Sequence, residues 1–527
     1  MVASRLSAGA IVLACGVGWG VCFGTRGLSF SVGPYREFAM PAITSRRRFL
    51  AASAATGSLL LTAPRASANV LRANERVRIA VIGLNGRGQS HLGGFGGLDD
   101  VEIAYVVDPD ENVLNRTLAA LEKKAGDGPL TTKGEKDIRT VLDDTSVDAI
   151  SIAAPNHWHS LMTIWGAKAG KHVYVEKPMS HDVVEGRVAL EAAKKYGVVV
   201  QHGTQRRSDA GIAGLHAALK NGTLPRLKIA YGYCCKPRGS IGTKPDSAPP
   251  ANLDWNLWKG PAVLDEYNAN LVHYNWHWFW KTGNGDLNNQ GTHQLDVARW
   301  AIDDDQTHPV RAAALGGRFE WDDQGETPNT MFAMAEYPNG QMVLFNVRNV
   351  NYEGYQRQVT NEYYLEDGSV IVGEGRYKIR RPGSDTFEDL EIEPGDVTPG
   401  GNWQSFITAV REGDPSLANG NASDAHYGCV LGHLMNNSYR LGETVPFNEK
   451  ACRFGDSPEV AEHFLKLHEV MRDGVGIPEN GADYHVGPLL TFDPATERHT
   501  GDHAEAANAL LKDPNNAGFE VPELSQI

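Results

Sequence analysis

The chain has 527 residues, 41% hydrophobic and 22% charged, which is ordinary globular composition and room for two or three domains. Its formal charge is −14, and seven arginines against one glutamate in the first 68 residues leave the remainder at −20, which argues against nucleic acid or an anionic membrane as partner. Six cysteines, two of them (Cys15 and Cys22) near the start and none in a CxxC spacing, argue against a disulfide framework or a zinc site, and no metal is expected.

Two signals occupy residues 1–68. Ser45-Arg46-Arg47-Arg48-Phe49-Leu50 precedes an apolar, small-residue run over 51–63, and Ala66-Ser67-Ala68 offers a small-x-small cleavage site. This is the pattern of a twin-arginine export signal, so the export machinery is an expected partner and the periplasm or another exported location the expected destination. Upstream, residues 6–23 form a second apolar stretch of near-spanning length, rich in glycine, which could anchor the protein. A start at Met40 would instead give a compact signal with the arginines in its n-region, and we prefer that reading. Neither segment belongs to the fold.

From residue 77 the chain reads VRIAVIG, an apolar run suited to a strand buried on both sheet faces, and then LNGRGQSHL, a glycine turn entering a helix. Gly83, Gly86 and Gly88 give a GxxGxG spacing, with Asn85 and Arg87 between them. It departs from GxGxxG because Asn85 takes the second glycine's place. Such a turn lets backbone approach a pyrophosphate at a helix N-terminus. The strand at 102–107 ends in Asp108, whose carboxylate would accept from an adenosine ribose and repel a 2′-phosphate, favouring NAD over NADP.

The strand at 148–154 is followed by Pro155-Asn156-His157-Trp158-His159, where the Asn156 amide could reach the nicotinamide side of the cofactor. His159, counted among the cofactor-side candidates, reads as a helix-start structural residue rather than a catalyst. The strand at 172–175 then delivers Glu176, Lys177 and Pro178, beyond which a helix at about 182–195 leads to a strand at 198–202. Alternating strands and helices predict an α/β fold with a doubly wound parallel sheet over residues 69–207. Ligands of such sheets sit beyond the strands' carboxyl ends, where Lys177 stands.

Over 77–207 the chain resembles the Gfo/Idh/MocA family of NAD(P)-dependent oxidoreductases, on the strength of PNHWH at 155–159 followed by GKHVYVEKP at 170–178. The resemblance implies that Lys177 lies beside the nicotinamide and the substrate hydroxyl, with Glu176 on the cofactor side. It also implies an α+β second domain with an open, mainly antiparallel sheet, here 208–473. Such sheets serve dimer contacts in the family, so a dimer or tetramer is expected.

In that second half, a proline- and glycine-rich stretch at 236–250 reads as an elaborated loop. Five of the eleven tryptophans fall between Trp255 and Trp280, a density that would suit a carbohydrate platform or packing under a long loop. The later part of the run DLNNQGTHQLDVARWAI at 286–302 is helical in period, with Leu295, Ala298 and Ile302 available for packing, and Asn289 and His293, four apart, would share a helix face. The resemblance makes His293 the general acid/base and replaces its usual aspartate partner with Asn289. An amide cannot compensate charge, so His293 is expected to have a lower pKa than in an aspartate-paired site, or Lys177 to carry more of the proton transfer. Strands are expected over 311–379, with helices at 403–412 and 426–441. His426 and His433 are seven apart on the second helix and are read as structural rather than as a metal pair. Residues 474–527 read as a tail, surface packing or an arm, with an amphipathic piece near 504–511.

These features together describe an exported oxidoreductase moving hydride between NAD, held tightly, and a CH–OH carbon of a sugar, polyol or related metabolite. Two alternatives stand beside it: an NAD-dependent glycoside hydrolase or lyase with transient redox, and an inactive carbohydrate-binding or assembly protein.

Overall fold

The computed structural model describes residues 75–455 and 457–527. The twin-arginine motif and the apolar stretch at 6–23 lie outside the described residues. Six strands, β1 (Val77–Ile82), β2 (Val101–Val107), β3 (Lys133–Glu135), β4 (Ala149–Ile152), β5 (His172–Val175) and β6 (Val200–His202), form a wholly parallel sheet in the order β3-β2-β1-β4-β5-β6. Helices α1 (Arg87–Phe95), α2 (Glu111–Ala125), α3 (Ile138–Leu142), α4 (Asn156–Lys168) and α5 (Val183–Tyr196) connect them. Strand order reverses between β1 and β4, which opens a crevice beyond their carboxyl ends.

Short polar side chains fix where the helices begin. Asp110 accepts from the Asn112 and Val113 N–H groups at the start of α2, and Asp182 from the Glu185 N–H at the start of α5.

The second half contributes α6 (Ala210–Lys220), β7 (Leu227–Cys235), α7 (Trp255–Lys259), α8 (Gly285–Asn288) and α9 (Gly291–Ala301). There follow β8 (Arg311–Gly317), β9 (Thr330–Glu336), β10 (Met342–Arg348), β11 (Asn361–Leu365), β12 (Val370–Glu374), β13 (Arg376–Arg380) and β14 (Glu388–Leu390). Their sheet runs β14-β13-β12-β11-β7-β10-β9-β8, and only the β7–β10 ladder is parallel. One face carries α9 and α11 (Ala422–Arg440), with Leu295, Ala298, Leu431 and Leu434 in a common core with Ala230 and Phe345.

Sequence order and spatial order part company after residue 400. Helix α10 (Gly401–Glu412) sends Phe406, Ile407 and Val410 into the core of the parallel sheet, and Ala425 and Cys429 of α11 pack with Val188 and Ala189 of α5. The half built on the parallel sheet is therefore completed by a segment that follows β14 in sequence.

A further part of the second sheet is covered by α12 (Pro458–Glu469), whose Phe464 and Leu467 join a core with Ile229, Phe332 and Leu344. One expectation is corrected. The stretch after 474 is not a surface arm. β15 (Glu443–Pro446) and β16 (Asp483–Val486) extend the second sheet beyond β8, and β17 (Leu490–Asp493) pairs with β8 and β18 (Arg498–Thr500). The alternation in Tyr484, Val486, Leu490 and Phe492 buries one side of each strand, a period easily missed among the acidic residues and prolines around it. Phe519 lies against Trp158 and Trp165 of α4.

Candidate active site

The crevice between β1 and β4 is a cavity of about 360 Å³ whose wall includes Gly86, Asp108, Asn156, Lys177, Asn289 and His293. The glycine turn is built by exclusion. Gly83 has φ +81°, and a Cβ there would stand 2.7 Å from the Ala153 backbone. A Cβ on Gly88 would come within 1.9 Å of the Gly83 carbonyl oxygen, so this glycine lets α1 sit tightly on the turn. Gly86 has φ +61° and no protein atom within 4 Å of its missing Cβ, so the room beside the cleft is there. Asn85 accepts a hydrogen bond from Arg116 (3.2 Å). Asp108 is buried and accepts from the Leu84 N–H (2.8 Å) and the Asp110 N–H (2.9 Å), so the carboxylate at the end of β2 also holds the glycine turn. Burial raises its pKa, and those two N–H groups act in the opposite sense. Asn156 donates to the Asn284 side-chain oxygen (3.2 Å), joining the two halves across the cleft.

Glu176 is 4% exposed and accepts from Arg87 (2.7 Å) and from its neighbour's N–H at Lys177 (3.2 Å), with His91 3.2 Å away. Burial disfavours its charge, yet His91, Arg87 and Lys177 outweigh that and hold the carboxyl well below its ordinary range. Its place at the cleft wall thus goes with a structural task, tying α1 to the end of β5. His159 has both ring nitrogens turned to backbone, Nδ1 to the Pro178 carbonyl (2.6 Å) and Nε2 to the Ala154 carbonyl (2.7 Å). That placement fits a brace between the β4 and β5 ends better than a cofactor contact, and burial pushes its pKa down.

Lys177 is half-buried, and its Nζ donates to the Asn289 carbonyl (2.8 Å) and the Asn289 side-chain oxygen (3.2 Å). Burial lowers its pKa against the pull of Glu176 and Asp286. The helical period read in the later part of 286–302 belongs to α9, which begins at Gly291; α8 ends at Asn288, and its C-cap Asn289 has φ −87° and ψ −89°. Asn289 and His293 consequently do not share one helix face, and Asn289 serves Lys177 rather than the imidazole. The Asn289 carbonyl meets the lysine, while the His293 N–H turns to the Gln290 carbonyl (3.3 Å). His293 is half-buried in the first turn of α9, and its pKa is pushed down to about 3, by burial first and then by the charge of Lys177.

With that geometry in hand, comparison with known proteins is decisive at the level of family. Residues 77–204 match the model of an oxidoreductase family's NAD-binding Rossmann fold, GFO_IDH_MocA, and residues 231–474 match the model of its C-terminal alpha/beta domain. The chain belongs to the Gfo/Idh/MocA oxidoreductase family. Its parallel sheet is the family's NAD-binding domain. Among relatives, it is similar to a myo-inositol 2-dehydrogenase of Thermotoga maritima, 32% identical over 189 residues, which are 36% of this chain and 51% of the relative. It is also similar to a glycosyl hydrolase family 109 protein of Akkermansia muciniphila, 31% identical over 112 residues, 21% of this chain and 23% of the relative. The chain thus spans about half the length, or less, of these curated relatives. Among solved structures, a levoglucosan dehydrogenase in complex with NADH shares the fold, with a TM-score of 0.51 at 15% identity over 68% of this chain and 96% of that one.

Within the second half, residues 244–280 form a strap. Trp255 and Trp258 stack on each other (5.1 Å), Trp276 stacks on His277 (3.6 Å), and Leu253, Trp258, Tyr267, Leu271 and Trp276 form a small separate core. Of the two readings of this aromatic cluster, packing accounts for most of its rings. Trp258, Tyr274, Trp276 and His277 also reach the cleft wall. Hydrogen bonds fasten the strap on two sides. Toward α2, Asn252 donates to Asp110 (2.8 Å) and accepts from the Glu111 N–H (2.8 Å), while His273 lies 3.1 Å from Asp110. Toward the chain's end, Asn516 donates to the Gly260 and Ala262 carbonyls (2.8 and 2.6 Å).

Sequence reasoning missed Asp286 and Arg238. Asp286 is 1% exposed, receives both the Nε and a terminal nitrogen of Arg238 at 2.8 Å, and accepts from Asn289 (3.1 Å) and Asn349 (2.8 Å). Asp286 lies three residues before Asn289, but its partners are 48 and 63 residues away and no local spacing announces them. His426 and His433 serve different partners, Glu497 (2.8 Å) for the first and Ser180 (3.0 Å) for the second. His308, His426 and Glu497 gather within 4.8 Å of one another, and Arg187 donates its Nε to the same carboxylate (2.9 Å). The guanidinium already supplies the cation, and the group ties α5, α11 and the segment before β18 together.

Proposed function

We propose that the protein is an exported dehydrogenase that moves hydride between NAD and a CH–OH carbon of a sugar or polyol. The observation that carries the reading is Lys177, an amine at the cleft wall whose pKa is lowered by burial and whose N–H groups are held by an uncharged partner. The residues present fit a dinucleotide. Gly86 leaves open space at the N-terminus of α1, where backbone N–H groups favour a pyrophosphate, and Asp108, just after β2, lines the same cleft, where a carboxylate suits an adenosine ribose. When bound, NAD supplies the carbon that accepts hydride. The chain's own residues then have to receive the hydroxyl proton, and Lys177 in its neutral form is the base best placed to do so. His293, neutral above its low pKa, can hold the same hydroxyl by a hydrogen bond.

Export rests on the arginine motif and the cleavage site before residue 69. A route that carries folded proteins would let NAD be loaded inside the cell, and the strap gives a means of keeping it. Asn252→Ala combined with His273→Ala is expected to accelerate NAD release about tenfold or more while changing the sugar KM little, as read by stopped-flow displacement. Release at the wild-type rate would remove the strap from cofactor retention.

A second reading, transient oxidation during glycoside cleavage, is favoured by the similarity to the family 109 protein. Both are tested on purified protein. Released nucleotide is identified after denaturation, and the intact protein is titrated with a sugar panel while nicotinamide fluorescence is followed. Stoichiometric NAD that becomes NADH with a free sugar supports the dehydrogenase. Cleavage of an aryl glycoside with no net NADH supports the second reading. Neither nucleotide nor NAD binding would leave the inactive-protein alternative in force.

A further inference from the structure

Beyond its chain carbon, the nitrogen of Lys177 has three tetrahedral positions. They hold three N–H bonds when the amine is charged, or two N–H bonds and a lone pair when it is neutral. Asn289 takes two of them with its carbonyl and its side-chain oxygen, at 2.8 and 3.2 Å. One position is left to the cleft that Lys177 lines. A neutral Lys177 with both N–H bonds committed in this way presents its lone pair there, as a proton acceptor must.

This arrangement depends on which way the Asn289 amide faces. Its nitrogen is turned to Asp286 (3.1 Å), and the reversed amide would set N–H groups against the lysine and an oxygen against the carboxylate, unfavourable at both ends. Asp286 cannot easily move, because Arg238 grips both its oxygens and Asn349 a third position. We propose that Asp286 is a positioning residue for proton transfer, fixing the lone-pair direction of Lys177 through the Asn289 amide and setting the amine's proton affinity by its own charge. The proposal rests on the reading of Lys177 as the proton acceptor.

The groups facing the amine can be named from each element around it. Glu176 and Asp286 favour its charge, and Arg87 and Arg238 oppose it. His159 from α4, His277 from the strap and His293 from α9 all have lowered pKa values through burial, so they are neutral near pH 7 and leave Asp286 and Arg238 as an opposed pair. Asp286→Asn should therefore lower the proton affinity of Lys177, and Arg238→Gln should raise it.

The decisive measurement is independent of turnover. The full-length protein without nucleotide is trace-labelled with acetic anhydride across about pH 6 to 10, and the acetylated Lys177 peptide is quantified by mass spectrometry. At pH 7.5, labelling is expected to rise about threefold or more in Asp286→Asn and to fall by a similar factor in Arg238→Gln. The acidic limb of the pH–rate profile should move down in the first variant and up in the second, with NAD affinity unchanged. A purely structural role would lower the melting temperature and leave both profiles in place. The proposal is overturned if the Asp286→Asn profile coincides with that of the wild type, or if the two variants shift it the same way. Should Asp286→Asn fail to fold, an Arg238→Gln profile that does not move overturns it alone. If labelling shifts as expected but no sugar reduces NAD, the coupling stands and the dehydrogenase reading falls.

Discussion

Replacing Lys177 by methionine is expected to lower kcat by about a thousandfold while leaving NAD affinity within about threefold of wild type. Methionine keeps most of the side chain's length and apolar contacts, so what is lost is the proton acceptor and the two hydrogen bonds to Asn289. The pH profile sharpens the test. A base acts only when neutral, so activity should rise with pH through the pKa of Lys177, which burial sets below that of a free lysine. His293, with its pKa near 3, is neutral on both sides of that rise and cannot produce it. In Lys177→Met the limb should disappear along with most of the rate. In His293→Ala the limb should stay in place while kcat/KM falls about tenfold to a hundredfold, the loss of one hydrogen bond to the reacting hydroxyl. An unshifted limb in Lys177→Met, with substantial residual rate, would remove the lysine from proton transfer.

How much of this site the sequence displays depends on how local its parts are. The glycine turn, the acid after β2 and the lysine after β5 are each a strand end followed by a short motif, so Gly83, Asp108 and Lys177 could be placed before any coordinates. The parallel sheet was legible for the same reason, since buried strands are uninterrupted apolar runs. The pairing of Asn289 with Lys177 was not legible. Helical period is a property of side chains on one face, and it cannot register that α8 stops before Asn289 or that the Asn289 carbonyl meets a lysine 112 residues away. The strap was visible as an elaborated loop and an excess of tryptophan. Its direction is set by Asp110, 142 residues from Asn252, and by Asn516, 256 residues from Gly260. The strands after residue 474 were not foreseen because the alternation at 484–492 is short and flanked by turn-forming residues, so the composition of the stretch outweighed its period.

The other large effect lies at the far end of the cleft, where steric exclusion replaces proton chemistry. Gly88→Ala adds a single methyl group, and that methyl would stand 1.9 Å from the Gly83 carbonyl oxygen. The obstacle is backbone, itself confined by the Ala153 peptide 2.7 Å from where a Gly83 Cβ would lie, so no side chain can swing aside. Either α1 lifts from the turn or the turn shifts, and overpacking of this kind costs about 1–3 kcal/mol. Because the displaced atoms are those that would cradle the pyrophosphate, most of that cost should appear in binding, as a loss of NAD affinity of roughly tenfold to a hundredfold. Gly93→Ala is the control. It lies on the same helix with nothing within 4 Å of the new Cβ, and alanine is the better helix former. Isothermal titration of NAD into the two variants should therefore separate them, with Gly93→Ala indistinguishable from wild type in affinity and slightly raised in melting temperature. NAD binding by Gly88→Ala at wild-type strength would mean that the dinucleotide does not rest on this turn, and the cleft between β1 and β4 would need a different ligand.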